Sequence, residues 1–342
     1  MRCRFAAAGG NARRRGRFPY HGCRPPGRCP SGHQGRRGDD SHARFVCPQR
    51  FLLMPDAAAP AVAESVDLRA PDAIAAEASE KGEAKAQLDF GVLAILALLA
   101  GVYISFGGLF AIVALAGADG VTAFGAAQLL AGLAFSLGLI LVLLAGAELF
   151  TGNTLLIVAW AQGKVAMAAV LRALGLAYGF NFAGSLIVAA IVVAAGVHMA
   201  GGGAVGIAAL EMADGKAKLA FGPALASGIL ANMLVCLAVW LSFGARSAAD
   251  KILVIIPPIT AFVSAGLEHS IANMFILPFA WGVKQFADPG FWTMTGATAA
   301  QYAAVTPSAF IGNLVPVTIG NIIGGFAVGA GYWFAYLRPR PR

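Results

Sequence analysis

The sequence predicts an all-α membrane protein of six transmembrane helices, built as an inverted repeat in which two of the helices are broken. Three observations carry that prediction. The first is composition. The 342 residues are 58% hydrophobic and only 12% charged, with a mean hydropathy of +0.72, whereas a soluble domain covers its surface with roughly 25% charge. Residues 90–116, 219–245 and 291–337 contain no charge, and each run exceeds the roughly 20 residues that cross a bilayer as a helix. The second is length. Residues 252–283 would make a helix of about 48 Å against a hydrocarbon core of about 30 Å, yet they are too few for two spans and a turn. A break near Glu268–His269 resolves this, and residues 122–163, with Glu148 as their only charge, pose the same problem. The third is an echo. "AGAELFTGNTLLI" from Ala145 and "AGLEHSIANMFIL" from Ala265 share Ala, Gly, Glu and Asn at matching places, 120 residues apart. "NFAGS" at Asn181 is echoed by "NIIGG" at Asn321. Three spans separate the copies, an odd number, so the halves point oppositely across the membrane, with broken helices meeting at the midplane.

Taken in order, the chain opens with a basic stretch. Twelve of the 25 Lys and Arg lie in residues 1–53, with four of the five cysteines. No C-x-x-C pair and no apolar signal core occur there, so residues 1–53 read as a disordered tail or as an annotated start upstream of a true start at Met54. Residues 54–89 read as a cytoplasmic segment whose "PDAIAAEASEKGEAKAQ" forms an amphipathic helix at the membrane surface. The transmembrane domain is 90–338, with spans near 90–116, 122–163, 170–197, 219–244, 252–284 and 306–337. Placing both ends inside puts Lys81, Lys85, Lys164, Arg172, Arg246, Lys251, Arg338, Arg340 and Arg342 on the cytoplasmic face and only Lys216, Lys218 and Lys284 outside, as positive charge requires. The glycine pairs Gly175/Gly179, Gly320/Gly324 and Gly325/Gly329 are expected to let helices approach closely.

Ionisable groups inside a span are expensive and point to function. His269 sits at a predicted break beside Glu268. Its reference pKa near 6.5 lets it offer a proton or a charge near neutral pH. Moving a bare anion into low dielectric costs on the order of tens of kcal/mol by Born estimates, so a pore must either supply positive charge or neutralise the anion. Apolar walls disfavour the imidazolium and an arriving anion favours it, which couples anion entry to proton uptake. Free amides at the half-helix starts would add positive potential. Glu148 and Glu268, with Asn153 and Asn273, read as support for the breaks, the glutamates accepting from backbone amides. Thr151 reads as a pore donor or a cap for the half-helix after it, and Cys236 as packing.

"AGAELFTGNTLLI", "GILANMLVCLAVWLS", "GLEHSIANMFILP" and "NLVPVTIGNIIGG" together resemble the formate/nitrite transporter family of bacterial anion channels, over about residues 70–338. The resemblance implies an aquaporin-like six-helix protomer with its own pore, assembled as a homopentamer in the inner membrane. It implies conduction of small monovalent anions, formate or nitrite first, with protons as a coupled partner, and it is nearest to the formate-channel branch. It makes His269 the central pore histidine and Thr151 its hydrogen-bond partner. Phe135, Leu139, Leu149 and Phe262 become constrictions, Asn232 a pore-lining polar residue, and Lys216 an exposed, salt-screened attractor near the outer mouth. No cofactor, metal or nucleic acid is called for, and no enzymatic role: His269 and Ser270, adjacent on the backbone, make a poor base and nucleophile, and no G-x-S-x-G turn is present. The alternative is a neutral-solute pore of aquaporin type, although the paired Asn-Pro-Ala turns are absent.

Overall fold

The computed structural model describes residues 67–339, which are all-helical apart from turns and connections. The basic tail and residues 54–66 lie outside the described residues. α1 (Pro71–Ala86) precedes α2 (Phe90–Leu115), which Asp89 caps by accepting from the Gly91 amide at 2.8 Å. α3 (Phe124–Ala145) ends at Gly146, whose φ of +79° suits a residue without Cβ. After an extended stretch the chain restarts as α4 (Phe150–Asn153), tightens through a 3₁₀ turn at Thr154–Leu156, and continues as α5 (Ile157–Ala161). α6 (Met167–Ala194) completes the first half. After α7 (Ala204–Ala217), the second half follows with α8 (Phe221–Gly244), α9 (Ala248–Ser264), α10 (Ser270–Phe286), the short α11 (Pro289–Thr295), and α12 (Pro307–Tyr332). α9 ends just before Gly266, at φ +66°, the counterpart of Gly146. Both predicted breaks are present, at 146–149 and 265–269.

Among the described residues, five helical stretches are long and apolar enough to cross a membrane: α2, α3, α6, α8 and Ala299–Leu337, which contains α12. α9 and α10 have 17 residues each, the half-lengths expected of a broken helix. Large apolar side chains face outward along α3 (Leu129, Leu130, Leu133) and α12 (Ile311, Val315, Ile319), the arrangement of a protein whose solvent is lipid.

The halves repeat their packing. α2 lies against α3 and α6; α8 lies against α9 and α12. α10 packs on α6, and the 150–161 stretch packs on α12. α3 and α9 pack on each other and join the halves. The closest crossings are made by equivalent glycines: a Cβ at Gly184 would overlap the Leu98 carbonyl oxygen, and one at Gly324 the Ile229 carbonyl oxygen. Gly320, Gly325 and Gly329 are similarly crowded, as their spacing predicts, but Gly175 and Gly179 have nothing within 4 Å. That pair faces outward and makes no crossing within the chain.

Two packing arrangements add to what the sequence displays. α1 packs on the protein's own helices. It is docked on α5 and α8 with Ile74, Ala75, Ala78 and Gly82 buried, and it is pinned by Arg69, whose guanidinium donates to the Phe243 carbonyl at 2.8 Å and pairs with Glu77 at 3.3 Å. The connection between the halves contains α7, which packs on α10 and α2.

Candidate functional site

Two cavities reach toward the breaks. One, of about 430 Å³, is lined by Arg69, Lys81, Lys85, Arg246 and Lys251 and extends to Leu139 and Leu149. The other, of about 790 Å³, is lined by Asp119, Glu211, Lys216 and Glu268 and extends to Phe135, Phe262 and His269. Their walls show the inversion. The first joins the chain before α2 to the chain after α8; the second joins the chain after α2 to the chain before α8. Phe135 and Leu139 are one turn apart on α3, so a single helix contributes to the inner end of both. On the rim of the larger cavity, burial lifts the Glu211 carboxyl above its usual range and the neighbouring Asp119 charge lifts it further.

Between the cavities, Thr151 Oγ1 lies 2.9 Å from His269 Nε2, and both residues are buried. His269 is also the N-cap of α10: its Nδ1 accepts from the Ala272 amide at 3.1 Å. An amide can only donate, so Nδ1 is the bare nitrogen, and Nε2 carries the proton and donates to Thr151. Making an imidazolium would require Nδ1 to release that amide. The ring is walled by Phe262, 5.7 Å away between centroids, which meets Phe135 edge-on at 5.4 Å. Thr151 is therefore the partner of His269 and not a helix cap; α4 has no side-chain cap.

The glutamates differ from expectation in their partners. Glu268 takes Lys216 Nζ at 2.7 Å on one oxygen, and on the other Asn273 Nδ2 at 2.6 Å and Asn313 Nδ2 at 3.2 Å. Glu148 takes Lys85 Nζ at 2.9 Å on one oxygen and Asn153 Nδ2 at 2.9 Å on the other. Neither carboxylate accepts from the backbone amides that open the half-helices. The Phe150, Ser270 and Ala272 amides go to Asn181, Asn321 and His269, so these three amides are occupied by the chain itself. A carboxylate buried in an apolar span is tolerable only when paired and fully hydrogen-bonded, and lysine plus two asparagines achieve that for Glu268.

Lys216 is accordingly no exposed charge: its side chain is 14% exposed and bonded to a carboxylate that is 4% exposed. Lys85 is its counterpart in the other half, and sequence reading missed it. The available signal was position, since Lys85 stands before α2 as Lys216 stands before α8. Asn232 lines neither cavity. It is wholly buried between α8 and α12, and its amide reaches the Asn321 carbonyl at 2.6 Å, Thr154 Oγ1 at 3.1 Å and the Thr151 carbonyl at 3.3 Å. Cys236 is buried against the same carbonyl at 3.6 Å.

This arrangement has counterparts among known proteins. Residues 72–334 match the model of the formate/nitrite transporter family. The formate channel FocA of Escherichia coli (strain K12) is 42% identical over 274 residues, which cover 80% of this chain and 96% of the relative. A solved structure described as a pentameric formate channel with formate bound superposes with a TM-score of 0.69 at 45% identity, covering 73% of this chain and 98% of its own. Another, described as an FNT family ion channel, superposes with a TM-score of 0.65 at 24% identity, covering 77% and 98%, and shares the fold. A multi-pass membrane protein with paired broken helices and a histidine–threonine contact between two cavities, this chain belongs to the formate/nitrite transporter family.

Proposed function

We propose that the protein is a channel for small monovalent anions, formate first and nitrite or a related weak-acid anion next, with the two cavities as its vestibules. The observation that carries this reading is the His269–Thr151 contact, set between aromatic and leucine constrictions with a lysine–glutamate pair on each side. α9 and α10 together make the sixth crossing. The transport unit is 90–338, with 54–89 as a cytoplasmic segment. Five copies assemble in the inner membrane, each with its own pathway and with both termini cytoplasmic. The clustering of Lys81, Lys85, Arg246 and Lys251 around one vestibule supports that orientation.

An anion entering either vestibule meets an ammonium already partnered by a carboxylate. The pair contributes a donor and a local dipole, with little net charge to trap the ion. At the centre the apolar walls strip water, and His269 supplies what water supplied. Thr151, holding Nε2, keeps its own hydroxyl proton available to an anion. An approaching weak-acid anion favours the imidazolium: Nδ1 releases the Ala272 amide and takes a proton from vestibule water, and the ring then hands one proton to the anion, returns to neutral and lets the acid leave uncharged. The family's named members are channels and transporters, and this proton transfer serves transport.

Proteoliposome uptake of formate, nitrite, hydrosulfide, acetate and lactate at several pH values, with glycerol swelling as the control, tests this. Anion flux that depends on pH, with no glycerol permeation, is the expected result. Glycerol permeation without anion flux would favour the neutral-solute pore. The mass of the detergent-extracted assembly tests the pentamer.

A further inference from the structure

The recurring "NFAGS" and "NIIGG" segments have no part in the transport chemistry above, yet their asparagines are wholly buried at the two breaks. Asn181 Oδ1 accepts the Phe150 amide at 2.9 Å while its Nδ2 donates to the Glu148 carbonyl at 3.0 Å and the Ala97 carbonyl at 2.6 Å. Asn321 Oδ1 accepts the Ser270 amide at 2.9 Å while its Nδ2 donates to the Glu268 carbonyl at 3.1 Å and the Gly228 carbonyl at 2.8 Å. Each carboxamide thus grips the peptide group on either side of one residue and ties both to the neighbouring helix. The bracketed residues are Leu149 and His269, which the repeat places in equivalent positions. Few side chains can do this: the grip needs one acceptor and two donors in a short, flat group.

We infer that Asn181 and Asn321 are positioning residues, Asn181 fixing the aperture at Leu149 and Asn321 fixing the placement of His269. The pathway then has one clamp used twice with different occupants: an apolar plug in the first half and the titratable ring in the second. Asn321 is itself tied to the ring's partner, because Asn232 bonds both the Asn321 and the Thr151 carbonyls. Loosening Asn321 therefore frees His269 from its backbone and slackens the frame that holds Thr151 opposite it. Loosening Asn181 leaves the Asn232 bonds to the Asn321 and Thr151 carbonyls in place. The charged groups facing the ring are Lys216 on α7 and Glu268 at the second break, so they too lie outside the Asn181 clamp.

The inference rests on the channel reading for its flux readout, and a ring spectrum tests it separately. Asn181→Ser and Asn321→Ser would be compared with wild type in two measurements. In proteoliposomes across about pH 4.5–8, Asn321→Ser should shift the midpoint of formate flux by about one pH unit or flatten the profile. Asn181→Ser should keep the midpoint and raise lactate flux relative to formate. In ¹⁵N-histidine NMR of the purified assembly, the His269 ring signals, assigned by their loss in His269→Asn, should move in Asn321→Ser and stay in Asn181→Ser. If a serine variant does not assemble, the near-isosteric Asn321→Asp and Asn181→Asp, which keep the amide acceptor and lose the donors, are held to the same split. Equal effects of the two asparagines on the ring signals, or none, would overturn the inference even if wild type carried no anion. A wild type that carries none would overturn the channel reading alone.

Discussion

Lys216 shows what one residue does once its partner is known. An exposed lysine at a pore mouth would lose its effect with added salt, because such charges are screened within about 8–10 Å. Lys216 instead closes a hydrogen-bonded pair with Glu268, so Lys216→Ala leaves a carboxylate buried beside the pathway. Breaking such a pair costs toward the lower end of roughly 3–5 kcal/mol. The assembly's thermal midpoint should fall, and the loss of flux should be the same at low and high salt. Lys216→Ala combined with Glu268→Gln should recover much of the stability, since the orphaned charge is gone. A loss of flux that high salt erased would restore the exposed-attractor role. The sequence displayed Glu148 and Glu268 plainly, because an acid in an apolar run has few reasons to be there. It did not display their lysines. Lys85 sits among Lys81, Glu80 and Glu83 in a polar segment, and only the folded chain shows which of these charges turns inward.

At the level of the helix, length and punctuation were enough to place the long helices and both breaks within a few residues. Close packing was legible only in part. Small residues four apart mark a helix face but not what that face meets, so Gly320/Gly324 and Gly175/Gly179 look alike in sequence and differ in the fold. Gly324→Val should prevent α12 from reaching α8, because the Ile229 carbonyl occupies the place of the new side chain. Gly175→Ala meets nothing and should be neutral or, by helix propensity, stabilising by up to about 1 kcal/mol. Fluorescence-detected gel filtration after heating would compare them; equal tolerance of both changes would contradict the crossing described here. α7 lies outside the spans read from the sequence, after the three glycines 201–203. It forms because α10 and α2 offer its apolar side a surface, a tertiary cause that local sequence does not carry.

Across the whole molecule the inversion makes the strongest demand. The chain after α2 and the chain before α8 share one vestibule, so they must share one face of the membrane. Cysteines introduced after residues 118, 206 and 292 should label from outside, and those near 166 and 248 from the cytoplasm. Cys236 is buried, and the four cysteines of residues 1–53 are replaced by serine in the labelled variants. A single well-supported reversal would contradict the repeat.

The central claim, that His269 makes the midpoint of this path passable by titrating, is tested most directly by formate flux through reconstituted wild type and His269→Asn between about pH 4.5 and 8. Asparagine keeps a hydrogen-bonding group opposite Thr151 but cannot titrate in that range. The wild type should show pH-dependent flux, and the variant should pass the anion with a flat profile. A variant that kept the wild-type profile would place the titrating group elsewhere and contradict the role assigned to His269.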